Sequence, residues 1–357
     1  MALGKPCYWS MEGSQMTAKL SKVLMLTFLI LLVLVYGLQD TNDVQITTHP
    51  AGQMQPAVYR DSVVWTDERN GNQDIYGYDL STKEEFQITS SSFPEFSPDI
   101  YGDIVVWVEA EGSDSWHISA CNLSTGETIR LTTENTICEN PAIYGTVVVW
   151  EEARYNARNI RGYDFSTGTY LEITDDKNFQ VNPAIGEGIV VWEGHEGLSG
   201  DIYGMNLETH HQFQIAQEGL SNFKLAAWDT IVVWEHLGSL YWIDLTTGKK
   251  TRIGPPSVKH CPQIYDNIIV WEDYRNKNAD IYGYDLAEQK EFRIAGHALS
   301  QKSPDIFGDI VVWEDERNGN QDIYCCSLPI RILSTEYVVL MAGLAAVLIT
   351  VLMKKEE

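Results

Sequence analysis

A short, almost unbroken apolar run ending in Val-Trp returns seven times along the chain, closing at Trp65, Trp107, Trp150, Trp192, Trp234, Trp271 and Trp313. The spacings are 42, 43, 42, 42, 37 and 42 residues, a period that four short strands and their turns occupy. Each period reads alike. Pro98-Asp99-Ile100-Tyr101 leads into a Gly102-Asp103 turn and then the β-branched run Ile104 to Trp107, whose continuous apolar character predicts a strand buried on both faces. A polar loop follows, as at 67–74, and its Asn70-Gly71 pair is a hairpin signal because both residues tolerate positive φ. Ile75 to Leu80 predicts a third strand, Ser81-Thr82-Lys83 a turn, and a fourth strand ends in Phe86-Gln87-Ile88-Thr89.

The strand count does not close within the repeats themselves. Seven third strands are present, the last at Asp322 to Leu328, but only six fourth strands follow them. The missing one stands ahead of the first repeat, as Val44-Gln45-Ile46-Thr47. This predicts an all-β fold: a seven-bladed β-propeller of four-stranded antiparallel blades, closed by an N-terminal outer strand that joins the last blade. Such closure removes the free sheet edges of an open array.

The repeat resembles the TolB-type propeller family. Ser97-Pro98-Asp99 and Ser303-Pro304-Asp305 match that family's repeat start, and Asp74-Ile75-Tyr76, Asp201-Ile202-Tyr203, Asp280-Ile281-Tyr282 and Asp322-Ile323-Tyr324 match its later strand. The form Asp-Glu-Arg-Asn-Gly-Asn at 67–72 and 315–320 is similar to propeller repeats in surface proteins of methanogenic archaea. The resemblance spans residues 44–328 and implies the fold. It implies function poorly, because propellers host binding proteins, lyases and hydrolase gates alike. Repeat five departs from the pattern: the loop after Trp234 is shorter, and Lys224 replaces the expected Pro.

Both ends are apolar. Val23 to Val35, preceded by Lys19 and Lys22, has the form of a secretory signal or signal anchor. Tyr337 to Met353 carries no charge and is followed by Lys354 and Lys355, which suits a C-terminal transmembrane anchor with its basic tail inside. The expected organisation is a leader at 1–38, the propeller at 39–330 and an anchor at 331–357. That places the propeller outside the cytoplasm, on the cell surface. Asn122-Leu123-Ser124 is a glycosylation sequon. Five of the six cysteines fall in the exported part, an odd number, and none shows zinc spacing.

A net charge of −25 argues against nucleic acid, whose phosphates call for excess Lys and Arg. Cations or basic partners suit it better. Every repeat sets a carboxylate one or two residues after its Trp: Asp67, Glu109, Glu151, Glu152, Glu193, Glu235, Glu272, Asp273, Glu314 and Asp315. In a propeller these positions share one loop face, so they are candidates for an acidic ring that binds Ca²⁺ or a basic partner. A second reading stays open, because Arg69, Arg154, Arg275 and Arg317 stand close enough in sequence to neutralise them.

The seven repeat Trp residues read as core between blades, as do Tyr76, Tyr203, Tyr282 and Tyr324. Off-pattern aromatics, namely Trp116, Tyr155, Trp228 and Trp242, are better placed to meet a ligand. The histidines are scattered, and no zinc-protease, nucleophile-elbow or phosphate-loop motif occurs. On these grounds the chain reads as a non-enzyme with no catalytic residue and no cofactor beyond a candidate Ca²⁺. It is expected to bind an extracellular protein, glycan or envelope component and to meet the membrane through its terminal helix. A structural envelope component and a polysaccharide lyase or other glycan-processing enzyme are the alternatives.

Overall fold

Each repeat folds as its hydrophobic pattern directs. In the first, strands Gln53–Tyr59, Ser62–Asp67, Asp74–Asp79 and Glu84–Gln87 pair in chain order as an antiparallel sheet. The computed structural model describes residues 43–132, 136–154, 157–175, 177–196, 199–219 and 224–329. The apolar stretches at 23–35 and 337–353, and with them the expected leader and anchor, lie outside these residues. Among the described residues no helix is long and apolar enough to cross a membrane.

The same four-strand order recurs over 95–130, 137–172, 180–217, 225–253 and 259–295. Repeats two and three are joined through Ile137 and Trp116 into one eight-stranded sheet. The last sheet takes Gln301–Phe307, Ile310–Asp315 and Asp322–Ser327 from the seventh repeat. Its fourth member is Val44–Gln45, paired antiparallel with Val44 opposite Cys325 and Gln45 opposite Tyr324. Thr47 extends this join, its hydroxyl accepting the Ile323 N–H at 2.8 Å.

The repeat tryptophans are the largest fully buried side chains, none more than 2% exposed. Each packs with the Val and Ile residues of its own second strand and those of a neighbouring repeat. Trp107, for example, shares a cluster with Ala57, Val64 and Ile75 of the first repeat. Four of the strand-three tyrosines stack on their own tryptophan with ring centroids 6.3 Å apart, as Tyr76 does on Trp65. The core reading of these aromatics holds.

The first strand of six of the seven repeats carries a built-in irregularity. Pairing slips between Met54 and Ala57, and likewise between Phe96 and Asp99, Glu139 and Ala142, Val181 and Ala184, His260 and Gln263, and Lys302 and Asp305. At each slip a proline lacks the N–H that a ladder needs, and the residue before it sits at φ near +50°: Gln55, Ser97, Asn140, Asn182, Cys261 and Ser303. Repeat five pairs without a slip, Ala226 opposite Val233 and Leu225 opposite Trp234. The register therefore puts Leu225, not Lys224, where the other repeats have proline. With an N–H available there, the ladder runs straight.

Candidate functional site

The first strands of all seven repeats line one channel of about 360 Å³. Where the pairing slips, at Gln55, Ser97, Asn140, Asn182, Cys261 and Ser303, the strands form the channel's mouth. The glutamates directly after the tryptophans face this mouth. Glu314 accepts the Gln55 N–H at 2.8 Å, Glu272 that of Ser303 at 2.8 Å and Glu151 that of Asn182 at 3.2 Å. Each thus ties one repeat to the next. Burial, and then the charge of Glu272, raises Glu314 above the usual carboxylate range. Glu235 is raised chiefly by burial, against the pull of His260. Glu193 holds His195 at 2.8 Å.

The carboxylates two residues after the tryptophans are placed differently. Asp67, Asp273 and Asp315 are fully buried, and each accepts its own tryptophan's indole N–H at 2.9–3.0 Å. Each also binds an arginine, at 2.6 Å for Arg69 and Arg317 and 2.5 Å for Arg275. Those guanidinium groups lie 4.1–4.2 Å from the ring centroids of Tyr76, Tyr282 and Tyr324, a cation–π contact. Glu109 pairs with Arg130 at 2.9 Å and Glu152 with Arg154 at 2.7 Å. Of the ten acidic positions, Glu151, Glu193, Glu235, Glu272 and Glu314 stand at the mouth, Glu151 being also paired with Arg158, while Asp67, Glu109, Glu152, Asp273 and Asp315 each bind an arginine of their own repeat. Among the described residues no group of three or more His, Cys, Asp or Glu side chains is placed to hold a metal ion.

Repeats five and six bring further groups to the mouth. His260 Nδ1 lies 2.7 Å from Glu235, and the half-exposed ring leaves Nε2 free. The Tyr274 hydroxyl donates to Glu272 at 3.0 Å, and its ring meets His260 edge-on with centroids 5.4 Å apart. Burial drives the Cys261 thiol far up, so it stays protonated and unreactive. A carboxylate that binds one imidazole nitrogen fixes the tautomer and leaves the other nitrogen to exchange protons. No contiguous motif marks this group. Its signal in the sequence is substitution within the repeat: His260 stands where other repeats place Met54, Phe96, Val181 or Lys302, and Tyr274 where they place Ala110, Ala153 or Leu237.

Deeper in the channel, Asp99 and Asp305 line the wall where the equivalent positions are Ala57, Ala142, Ala184, Ala226 and Gln263. Asp99 Oδ2 accepts the Ile143 N–H at 2.8 Å, and Asp305 Oδ2 that of Val58 at 2.7 Å. Burial pushes Asp99 up to about 6; burial and the charge of Asp99 push Asp305 up to about 7. Two residues further on, six aromatic side chains close a cycle of contacts. Tyr59 meets Tyr101 at 4.6 Å and Phe307 at 4.3 Å, Tyr101 meets Tyr144 at 4.7 Å, and Trp228 meets Tyr144 at 5.5 Å and Tyr265 at 4.3 Å. Tyr265 and Phe307, 4.5 Å apart, complete it. Repeat four contributes Gly186 here, and a Cβ on it would sit 2.9 Å from the Ala227 carbonyl; the larger Trp228 spans the gap. Of the other off-pattern aromatics, Trp116 packs on Phe96 and donates to the Gly112 carbonyl at 2.8 Å, and Trp242 is half-buried against the core of repeat six. Tyr155 lies outside the described residues.

No family model matches the chain, and no curated protein matches it in sequence. Solved structures do resemble it. An oligogalacturonate lyase in complex with manganese is similar over 82% of this chain and 94% of its own, with a TM-score of 0.63 and 13% identity. The β-propeller domain of the Trilobed protease from Pyrococcus furiosus, described as having an open velcro topology, is matched over 81% of this chain and all of that one (TM-score 0.61, 13% identity). A puromycin-hydrolyzing peptidase from Mycobacterium tuberculosis matches at 0.61 and 10% identity over 79% of this chain, which spans about half of that peptidase. These likenesses show a β-propeller fold. They lend nothing to the resemblance to archaeal surface proteins.

They also correct the expectation of a non-enzyme. This architecture is shared with enzymes, one of them a propeller matched along almost its whole length. Absence of a linear motif is no argument here, because a propeller brings side chains together from separate repeats, as the contact of His260 with Glu235 illustrates.

Proposed function

We propose that the chain is a glycan-processing enzyme whose acid–base group is His260 at the channel mouth. The observation that carries this reading is the 2.7 Å contact of His260 Nδ1 with Glu235, beside the Tyr274–Glu272 hydrogen bond. In this arrangement Glu235 orients the imidazole, Nε2 exchanges the proton with a bound sugar, and Tyr274 flanks the ring and supplies a hydroxyl at the rim. The channel beneath the mouth, whose volume lies within the usual range for ligand sites of about 300–1,000 Å³, supports it. The lining is acidic, so a neutral or cationic sugar suits it better than a polyuronate.

The proposed scaffold is a ring of seven blades sealed by Val44–Gln45. The cycle of aromatic contacts and the pairing with Asp322–Ser327 support that reading. The proposed setting is the outer surface of the membrane, on the strength of the two apolar ends and their flanking lysines.

The test is a panel of neutral, amino-bearing and uronate oligosaccharides, scored for new reducing ends and for the ultraviolet absorbance of unsaturated products. Turnover of a neutral or amino-bearing substrate that drops by about 10²–10⁴-fold in H260A, and moves its pH optimum in E235Q, is the expected result. No turnover on the whole panel, or full activity in H260A, overturns it.

A further inference from the structure

The channel wall is asymmetric in a way that its repeats do not require. Four of seven equivalent positions are alanine, leaving room, while Gln263, Asp305 and Asp99 put an amide and two carboxylates around it. Ala57 separates the two aspartates in repeat order. Apart from these aspartates, Lys224 at the mouth is the one charged residue lining the channel among those described, and it acts on Glu235 and Cys261. Among the described residues neither aspartate has an ion-pair partner. Both keep part of their surface open to the channel. Asp99 accepts the Ile143 N–H on Oδ2 and the Ile100 N–H on Oδ1, and Asp305 accepts those of Val58 and Ile306, so each carboxylate is held by two backbone donors. Two backbone N–H groups offset only part of a carboxylate's charge, and a charge withdrawn from water is costly unless something further compensates it.

The surroundings narrow what that something is. Two residues along a strand advance about 7 Å, so the aromatic cycle of Tyr59, Tyr101, Tyr144, Trp228, Tyr265 and Phe307 forms the next layer below the carboxylates. Aromatic faces attract an ammonium group through their quadrupole and accept the apolar face of a sugar ring. Above the two aspartates the glutamate rim, on a chain of net charge −25, raises the local concentration of cations at the mouth.

We infer that the channel is a binding site for an organic ammonium group, held by Asp99 and Asp305 above the aromatic layer, and that the ligand is an amino sugar. The sugar part of this assignment rests on the glycan-processing reading; the ammonium part stands on the channel alone. Gln263 supplies the uncharged contact, to a hydroxyl of the same ring.

Calorimetric titration of the full-length chain with glucosamine, N-acetylglucosamine and glucose tests it. Glucosamine should bind at least ~10-fold more tightly than its two neutral counterparts, about the value of one charge-assisted contact in an enclosed site. The D99N/D305N double variant keeps one acceptor oxygen at each position for the Val58 and Ile143 N–H groups and gives up the contacts to Ile306 and Ile100; once its melting curve is shown to be as cooperative as the parent's, it should lose that preference. Equal affinity for all three sugars, or a preference that survives in the folded double variant, overturns the inference. If the double variant fails to fold, the single variants D99N and D305N are titrated, and each should lose part of the preference. The outcomes separate the two proposals. Amine-selective binding without turnover on the oligosaccharide panel removes the enzymatic reading and leaves the ammonium site, whereas His260-dependent turnover of neutral sugars with no amine preference does the reverse.

Discussion

Repeats one, six and seven build the same clamp at Asp67, Asp273 and Asp315, yet on the channel wall the same three repeats carry Ala57, Gln263 and Asp305. The clamp joins a tryptophan indole, a carboxylate and an arginine that covers a tyrosine ring, all between packed sheets. Its geometry is set by neighbours that also repeat, so the same solution serves each time. On the channel wall a side chain faces open space, and packing does not dictate its identity. Departures from the repeat gather there and at the mouth. In a repeat protein, the residues that break the pattern are the ones to examine for chemistry.

The largest effect is expected on the repeated side. Trp313→Ala should lower unfolding free energy by about 3–5 kcal/mol, the usual loss for an aromatic side chain removed from a packed core, read by denaturant titration.

Asp273→Ala comes next. Besides the Trp271 indole and Arg275, Asp273 lies 3.7 Å from Lys259, which is itself fully buried. Lys259 keeps hydrogen bonds to Ser257 and the Pro255 carbonyl, both 2.6 Å, yet would lose its counter-charge. A loss of up to about 3–5 kcal/mol is expected, as for breaking a buried pair. Hydrogen bonds from Arg275 and Trp271, outweighing burial, hold Asp273 down at about 2. The unfolded value is higher, so its contribution is fully present above about pH 4 and is lost as pH falls towards 2. Asp273→Asn should flatten that part of the acid-unfolding curve.

The channel aspartates should behave with the opposite sign. Their folded pKa values are raised, so between about pH 4 and 7 the native state binds more protons than the unfolded chain, and stability falls as pH rises through that window. Asp305→Asn should therefore gain about 2–4 °C in melting temperature at pH 8 and little at pH 4. A melting temperature that drops at pH 8 would assign Asp305 to scaffolding after all. The smallest effect belongs to Arg130→Ala. Its side chain is 33% exposed while it bridges Glu109 and Glu111, and its removal should change stability by less than about 1 kcal/mol.

Most of the fold was legible because its signals are local and repeated. The Val-Trp runs, the Asn-Gly hairpin at 70–71 and the stray strand at Val44 each state a strand or turn within a few residues, and seven copies suppress accidental matches. The site was legible only in part. Ten carboxylates were identifiable by position, but Glu314 and Asp315 are neighbours in sequence with opposite surroundings, one at the mouth and one in the core. Alternation along a strand separates such a pair, and which face meets the channel depends on how the sheets are arranged. His260, Tyr274, Asp99 and Asp305 were overlooked for a related reason: each looks ordinary beside its sequence neighbours.

The repeat, the strands, the buried tryptophans and the excess of negative charge could all be read from the order of residues. These follow from hydrophobic period and composition, properties that a chain carries before it folds. Which carboxylates are neutralised, the meeting of His260 with Glu235 from another sheet, and the two aspartates sharing a channel above an aromatic layer became visible only in the folded molecule. Those facts depend on distances between residues far apart in the chain, and electrostatic and hydrogen-bond energies are set by such distances and by the water excluded around them.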